Sequence, residues 1–303
     1  MHCGRVCHHN PMLVVPAYAK LNLSLEIRGK LPGGWHDLDS LVVLISIRDL
    51  VGISLQPSHR NPSEPGPPIQ LTGPFASQAP ADATNLAAQA LRLGTAGRQA
   101  EGELQVSWLH KRIPARAGLG GGSSDAASVL FALAPPERFS TDELLSLGSD
   151  VPLFQCGTAV RIRGRGEKVV RVRAPAIWFA IAVAGTVDTG AAFGMVQPAD
   201  LSDGSRTTRL VELLARGEVD PSLMGSALER AAIATAPEIG AKLKRLRQDG
   251  ASWAVTGSGG AVFLASSKEA EARDACRKAQ ALGLPAWVAQ ALGYALAGCP
   301  GFG

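Results

Sequence analysis

The sequence has few aromatic residues, few charges and few cysteines. Aromatics make up 5% of its 303 residues, and charged side chains 18%, against about 25% in an average globular chain. The five cysteines, Cys3, Cys7, Cys156, Cys276 and Cys299, are odd in number and scattered. This excludes a disulfide framework and points to a reducing compartment. No apolar run approaches the ~18 residues that span a bilayer. The apolar start Met12–Val15 is broken by Pro16 and falls short of the ~7 residues of a secretory h-region. The chain therefore reads as soluble and cytoplasmic. No internal repeat is present, and no G-X-Y period accompanies the glycines.

What is abundant is glycine, 34 of 303 residues, or about 11% against a usual ~7%. Hydrophobic residues at 46% supply a core, and the length suits one large domain or two smaller ones. The net charge of +4 fits an anionic small molecule without requiring nucleic acid. Residues 1–12 read as an unstructured leader, in which Cys3, Cys7, His8 and His9 match no zinc spacing. Residues 13–29 and 40–55 read as strands around a turn at 31–36. The proline-rich stretch 57–80 reads as a surface loop. Asp82 or Thr84 is expected to cap a helix over 85–93, a strand follows over 103–109, and the glycine loop at 117–124 opens into a helix over 125–133. From about 174 a second half begins. Its expected strands are 176–184, 253–256 and 261–265, and its expected helices are 207–216, one starting at Pro237, and 268–282 stopped by Gly283. The mixture is α+β rather than a strict alternation.

The most informative segment is Pro114-Ala115-Arg116-Ala117-Gly118-Leu119-Gly120-Gly121-Gly122-Ser123-Ser124. Its glycines let successive backbone N–H groups approach a ligand closely. It feeds a helix N-terminus, which attracts anions. Ser123 or Ser124 adds a hydroxyl for a phosphate or Mg²⁺. No lysine follows the glycines as a Walker loop requires, and Ser123 stands where a dinucleotide fingerprint needs Gly or Ala. A second cluster, Thr256-Gly257-Ser258-Gly259-Gly260, reads as a tight turn or as a second backbone wall facing the first loop.

Residues Pro114–Ala127 resemble the phosphate loop of the GHMP kinase superfamily, and Thr256–Gly260 resembles its third motif. Ala19-Lys20-Leu21-Asn22-Leu23, Gly33-Gly34-Trp35-His36-Asp37-Leu38, Gly148–Phe154 and Gly164-Arg165-Gly166-Glu167 narrow the resemblance to the 4-diphosphocytidyl-2-C-methyl-D-erythritol kinases. The resemblance implies an α+β fold of two domains. A ribosomal-protein-S5-domain-2-like domain over 13–173 would hold ATP, and a ferredoxin-like domain over 174–303 would close over the substrate. It implies ATP- and Mg²⁺-dependent phosphorylation of the substrate 2-hydroxyl, a step of the non-mevalonate route to isoprenoids. The expected partner is that small molecule, with no nucleic acid and no membrane, in a monomer or weak homodimer.

Within the resemblance, Asp150 matches the catalytic aspartate, on a turn between Gly148-Ser149 and Val151-Pro152. Lys20 lies among Leu21, Leu23 and Leu25. A lysine buried there needs a partner, and Asp150 is the expected one. Asn22 shares its strand face. His36 matches the cytosine-binding histidine, and Trp35 stands where the family usually has Tyr. Phe193 matches a second stacking aromatic with Thr189 nearby, and Gly257, Ser258 and Gly259 complete the substrate wall. The segment 134–148 is shorter than usual, and Ser226-Ala227-Leu228-Glu229 replaces an Asn-Asp-Leu-Glu-like segment. Arg161, Arg163 and Arg165 alternate on one strand face, which reads as a solvated face more readily than as an RNA stripe, because no aromatics are interleaved. Three functions remain open on these residues: this kinase, a homoserine or mevalonate-type kinase, and an RNA-binding module on an S5-like fold.

Overall fold

A computed structural model describes residues 12–57, 68–96 and 102–293. The leader cysteines and histidines, Cys299 and residues 58–67 of the proline-rich stretch lie outside these described residues.

Two long strands form the spine: β1 (Met12–Lys30) and β2 (His36–Pro57), joined by a turn of 3-10 helix at Pro32–Gly34. They pair antiparallel along their whole length, with register shifts at Tyr18/Lys20, Asn22/Ser24 and Ile27/Gly29. Two of these irregularities flank Lys20 and Asn22, and such bulges re-aim side chains. Met12 thus already belongs to a strand rather than to the leader. The proline-rich stretch is not wholly loop either, since β3 (Gln70–Thr72) runs parallel to a neighbouring strand at the sheet edge and Ile69 is buried. A short edge strand needs few ladder bonds, which reconciles it with nearby prolines.

Helix α1 (Leu86–Thr95) is capped by Asn85, whose side chain accepts from Ala87 N–H. Asp82 instead accepts from Thr84 N–H and its hydroxyl, so neither of the two expected caps serves. Strand β4 (Gly102–His110) follows, then α2 (Gly121–Leu133) and α3 (Thr141–Leu147), the latter opened by a Ser140–Glu143 capping box. The segment 134–148 thus carries helix despite its length. Helix α2 starts at Gly121, four residues before the expected start, behind Gly120 in the left-handed region. Strands β5 (Ala159–Gly164) and β6 (Lys168–Arg171) form a hairpin against the first part of β2, while β4 takes the second part.

Strand β7 (Trp178–Val183) opens the second half. It continues through α4 (Thr189–Gly194), α5 (Ser205–Ala215), β8 (Gly225–Ser226), α6 (Glu229–Thr235), α7 (Pro237–Leu246), β9 (Ala254–Val255), β10 (Ala261–Ser266), α8 (Glu269–Ala281) and β11 (Ala286–Gln290). The first sheet runs β3-β4-β2-β1-β8 with the β5–β6 hairpin alongside, and the second runs β11-β7-β10-β9. Strand β8 comes from the second half yet pairs with β1. A core containing Leu21, Leu23, Val43 and Ile113 of the first half with Phe179, Ile181, Leu210 and Phe263 of the second fuses the two. Among the described residues, no helix is long and apolar enough to cross a membrane.

Candidate active site

A cleft of about 530 Å³ lies where the two glycine clusters meet the middle of β1. Its floor is Lys20 and Asn22 of β1. One wall is the loop Pro114–Ser123, the other Gly257 and Ser258, and the far side carries Ser149, Asp150, Thr189 and Phe193. A larger hollow of about 610 Å³ lies between α7 and α8, but its rim charges pair among themselves, Lys278 with Asp249 and Asp274, and no catalytic constellation faces it.

The two glycine clusters are built to touch. A Cβ on Gly118 would come within 2.8 Å of Thr256 O and 2.9 Å of Gly259 O, and one on Gly257 within 3.3 Å of Gly118 O. Gly118, Gly120 and Gly257 all have positive φ, which a side chain resists. Lys20 N–H donates to Leu119 O, and Ala261 N–H to Ala117 O, so the loop is stitched to a strand on each side. Ala117 and Leu119 point into the core. Ala117 does not line the cleft, whereas the loop's other members from Pro114 to Ser123 do. Arg116 is the one non-glycine described residue with positive φ, at 55°, and its carbonyl accepts from Val187 N–H.

The expected pairing of Lys20 with Asp150 is present. Lys20 Nζ lies 3.3 Å from Asp150 Oδ2 and 2.7 Å from Asn22 Oδ1. The lysine is buried and its partner is 31% exposed at the side chain, open to the cleft. Asp150 sits at the head of the short helix Val151–Cys156 and its carboxylate makes no capping bond, which leaves it free. Asn22 cannot swing. Its Nδ2 donates to Ser40 Oγ, whose own proton goes to Ser24 O, so Asn22 Oδ1 must face the lysine. Thr256 Oγ1 accepts from Asn22 N–H and donates to Asn22 O, tying the second glycine cluster to the same strand.

The two serines of the loop separate. Ser124 is buried and its Oγ donates to Tyr18 O. This removes it from the cleft and corrects its candidacy for metal. Ser123 lines the cleft, with Gly148 giving it room: a Cβ there would stand 3.0 Å from Ser123 Oγ.

The remaining candidates divide likewise. Thr189 Oγ1 and Ser258 Oγ are hydrogen-bonded at 2.9 Å. Gly259 is turned away, toward Ala232 and Val187, and is not a cleft residue. His36 does not itself line the cleft but packs on Phe193, which does, with ring centroids 5.3 Å apart. Burial, helped by the nearby Lys30 charge, holds the His36 pKa below its ordinary value, so the ring is neutral at pH 7 and able both to donate and to accept. Trp35 is 53% exposed and does not line the cleft. Its ring face is covered instead by the Arg165 guanidinium, 4.1 Å from the ring centroid.

The arginine row is in part the solvated face expected: Arg163 and Arg165 are exposed, whereas Arg161 is half-buried. Arg161 grips Asp39 with two bonds of 2.7 Å, and Arg163 joins the same carboxylate at 3.5 Å. Arg165, beyond the strand end, reaches the cleft, a position that charge alternation alone does not reveal. Ser226 also has a contact: its Oγ donates to Gly257 O at 2.6 Å, so the altered segment still anchors the second glycine cluster.

Residues 84–158 match the family model for the GHMP kinases N terminal domain. The chain is 37% identical over 292 residues to a 4-diphosphocytidyl-2-C-methyl-D-erythritol kinase of Paracoccus denitrificans, covering 92% of this chain and 96% of that protein. It is similar to a crystal structure of 4-(cytidine 5'-diphospho)-2C-methyl-D-erythritol kinase, with a TM-score of 0.74 and 32% identity over 93% of this chain and 100% of that one. A homoserine kinase of Cytophaga hutchinsonii shares the fold, with a TM-score of 0.63 and 18% identity over 97% of each chain.

Proposed function

The chain belongs to the 4-diphosphocytidyl-2-C-methyl-D-erythritol kinase family, within the GHMP kinases, and on that premise we propose that it transfers the ATP γ-phosphoryl group to the 2-hydroxyl of 4-diphosphocytidyl-2-C-methyl-D-erythritol. The observation that carries the reading is a cleft-facing carboxylate, Asp150, paired with buried Lys20 at 3.3 Å in the same cleft as the glycine loop.

In this reading Asp150 orients the acceptor hydroxyl and takes its proton as the oxygen bonds to phosphorus and ADP departs. Lys20 holds the Asp150 carboxylate in place and offsets negative charge that develops between donor and acceptor oxygens. Asn22 holds Lys20 in place. The N–H groups of Gly120–Ser123 and the N-terminus of α2 bind the phosphates. Side chains at Gly118 and Gly120 would collide with Thr256 O, Gly259 O and Lys20 Cγ, so these glycines let the loop pack directly against the second glycine cluster and the Lys20–Asp150 pair. Mg²⁺ would be held chiefly by phosphate oxygens and water, with Ser123 as the loop serine hydroxyl lining the cleft, and would neutralise the transferring phosphoryl group. His36 and Phe193, with Thr189 and Ser258, form the base-binding end. We read residues 13–173 as the S5-domain-2-like ATP-binding domain and 174–303 as the ferredoxin-like domain.

The test is coupled ADP release with three acceptors at equal concentration: 4-diphosphocytidyl-2-C-methyl-D-erythritol, homoserine and mevalonate. The expected outcome is turnover with the first and background with the others. Turnover of homoserine or mevalonate alone moves the assignment to a sister kinase. ADP release with none, together with steeply salt-dependent RNA binding, returns it to the RNA-binding reading.

A further inference from the structure

The β2–β5 ladder sets Leu38 opposite Gly164. Continued past the strand end, it brings the turn Arg165-Gly166-Glu167 beside Trp35-His36-Asp37. That turn is rigid. Glu167 Oε2 accepts from Arg165 N–H at 2.6 Å, Gly164 and Gly166 both have positive φ, and a Cβ on Gly164 would collide with the Glu167 carboxylate at 2.3 Å. The Arg165 guanidinium carbon lies over the Trp35 indole, 4.1 Å from its centroid, and Arg165 lines the cleft, whereas Trp35 does not. Arg161 and Arg163 share the Asp39 carboxylate, and Lys20 has Asp150. Among the described residues Arg165 has no carboxylate partner. A cation over an indole, with no carboxylate partner among the described residues and at the wall of the cleft, is arranged for a phosphate.

We infer that Arg165, positioned by Trp35, is a specificity-determining residue that pairs with the diphosphate of a nucleoside-diphosphate-linked substrate. This inference rests on the reading proposed above and deepens it. The base sits against Phe193 and His36, and the charge beside it is read by Arg165. Trp35 acts through the arginine as a positioning residue: cation–π stacking holds a long side chain that would otherwise lose rotamer freedom on binding.

The test measures the affinity of the whole protein for CDP and for cytidine by titration calorimetry. Arg165→Met is expected to weaken CDP about ten- to a hundredfold, the range of a lost hydrogen bond to a charged group. Cytidine affinity stays within about threefold, because it carries no phosphate. Trp35→Leu loses part of the CDP affinity, Trp35→Tyr retains it by keeping an aromatic face, and in the Arg165→Met background neither change matters. The ratio of CDP to cytidine affinity separates recognition from structural damage, which lowers both. An equal loss for both ligands, or no loss for CDP, overturns the inference while leaving the kinase reading in place. A wild-type protein that binds neither ligand overturns the cytidine-diphosphate reading and this inference together.

Discussion

Lys111 lies buried between two buried carboxylates, Asp49 of β2 and Asp125 of α2, with Asp125 Oδ2 at 2.6 Å. Asp49 Oδ1 also accepts from the N–H groups of Arg112 and Ile113, fixing the chain as it enters the glycine loop. Burial opposes the charge on Lys111, but Asp125 and Asp49 outweigh it and hold its pKa above normal. Burial, opposed by Lys111 and reinforced by Asp49, pushes Asp125 up to about 8. Among the described residues its Oδ1 has no hydrogen-bond partner, which a neutral carboxyl tolerates better than a carboxylate. Between pH ~4, where an unfolded aspartate titrates, and pH about 8 the folded state keeps a proton that the unfolded state releases. Stability therefore falls as pH rises through that window. In urea titrations Asp125→Asn should flatten this slope, and an unchanged slope would contradict the assignment. Lys111→Met should cost about 3–5 kcal/mol, because it leaves the buried Asp49–Asp125 pair without its cation. The sequence shows three charged residues far apart along the chain. Their meeting depends on the placement of α2 against β2, which no local pattern encodes.

At the scale of elements, the coupling between β1 and α2 places the glycine loop over the Lys20–Asp150 pair. Ser124 Oγ and Ser128 Oγ donate to Tyr18 O and Pro16 O, so successive turns of α2 grip the outer edge of β1. The helix cannot shift without moving Lys20. Gly120 is the tightest point: its φ is 69°, and a Cβ would stand 2.8 Å from Lys20 Cγ and 3.6 Å from Asp150 Oδ2. Gly120→Ala therefore displaces Lys20 and adds left-handed strain of about 1–2 kcal/mol. Steady-state kinetics should show kcat falling roughly tenfold or more. Gly122→Ala, where only Leu86 Cδ1 is near at 3.3 Å, should do much less, and equal effects would contradict the argument. Elements with a strong period or a glycine punctuation were legible: β1, β2, α2, α7 and α8 lie within a few residues of expectation. The two-residue β8 and the strand β11 after Gly283 were not, since pairing with β1 and β7 makes them strands. The cap of α1 was misplaced because Asp82 and Thr84 satisfy each other, leaving Asn85 to the helix.

At the scale of the molecule, one core spans both halves. Phe179 and Phe263 of the second sheet meet edge-on at 6.1 Å and share a cluster with Leu21, Leu23 and Val43 of β1 and β2. Strand β8 extends the first sheet, and Ser226 ties it to Gly257. The two halves should therefore unfold together. Variants that keep a single tryptophan, Trp108 of β4 or Trp253 beside β9, should show the same urea midpoint, and separate midpoints would contradict a shared core. The same fusion sets the geometry of the cleft, which draws its floor from β1 and its second wall from the β9–β10 turn. Proteins of this kind are recognisable from motifs because the glycine clusters, Lys20 and Asp150 announce themselves. Asn22's lock on Ser40 and Arg165's place beside Trp35 do not, since both follow from strand register. The most direct test of the central claim compares wild type with Asp150→Asn, following ATP binding by calorimetry and ADP release with 4-diphosphocytidyl-2-C-methyl-D-erythritol. The account predicts unchanged ATP affinity and a loss of turnover of about a hundredfold or more. Equal turnover in the two proteins would contradict it.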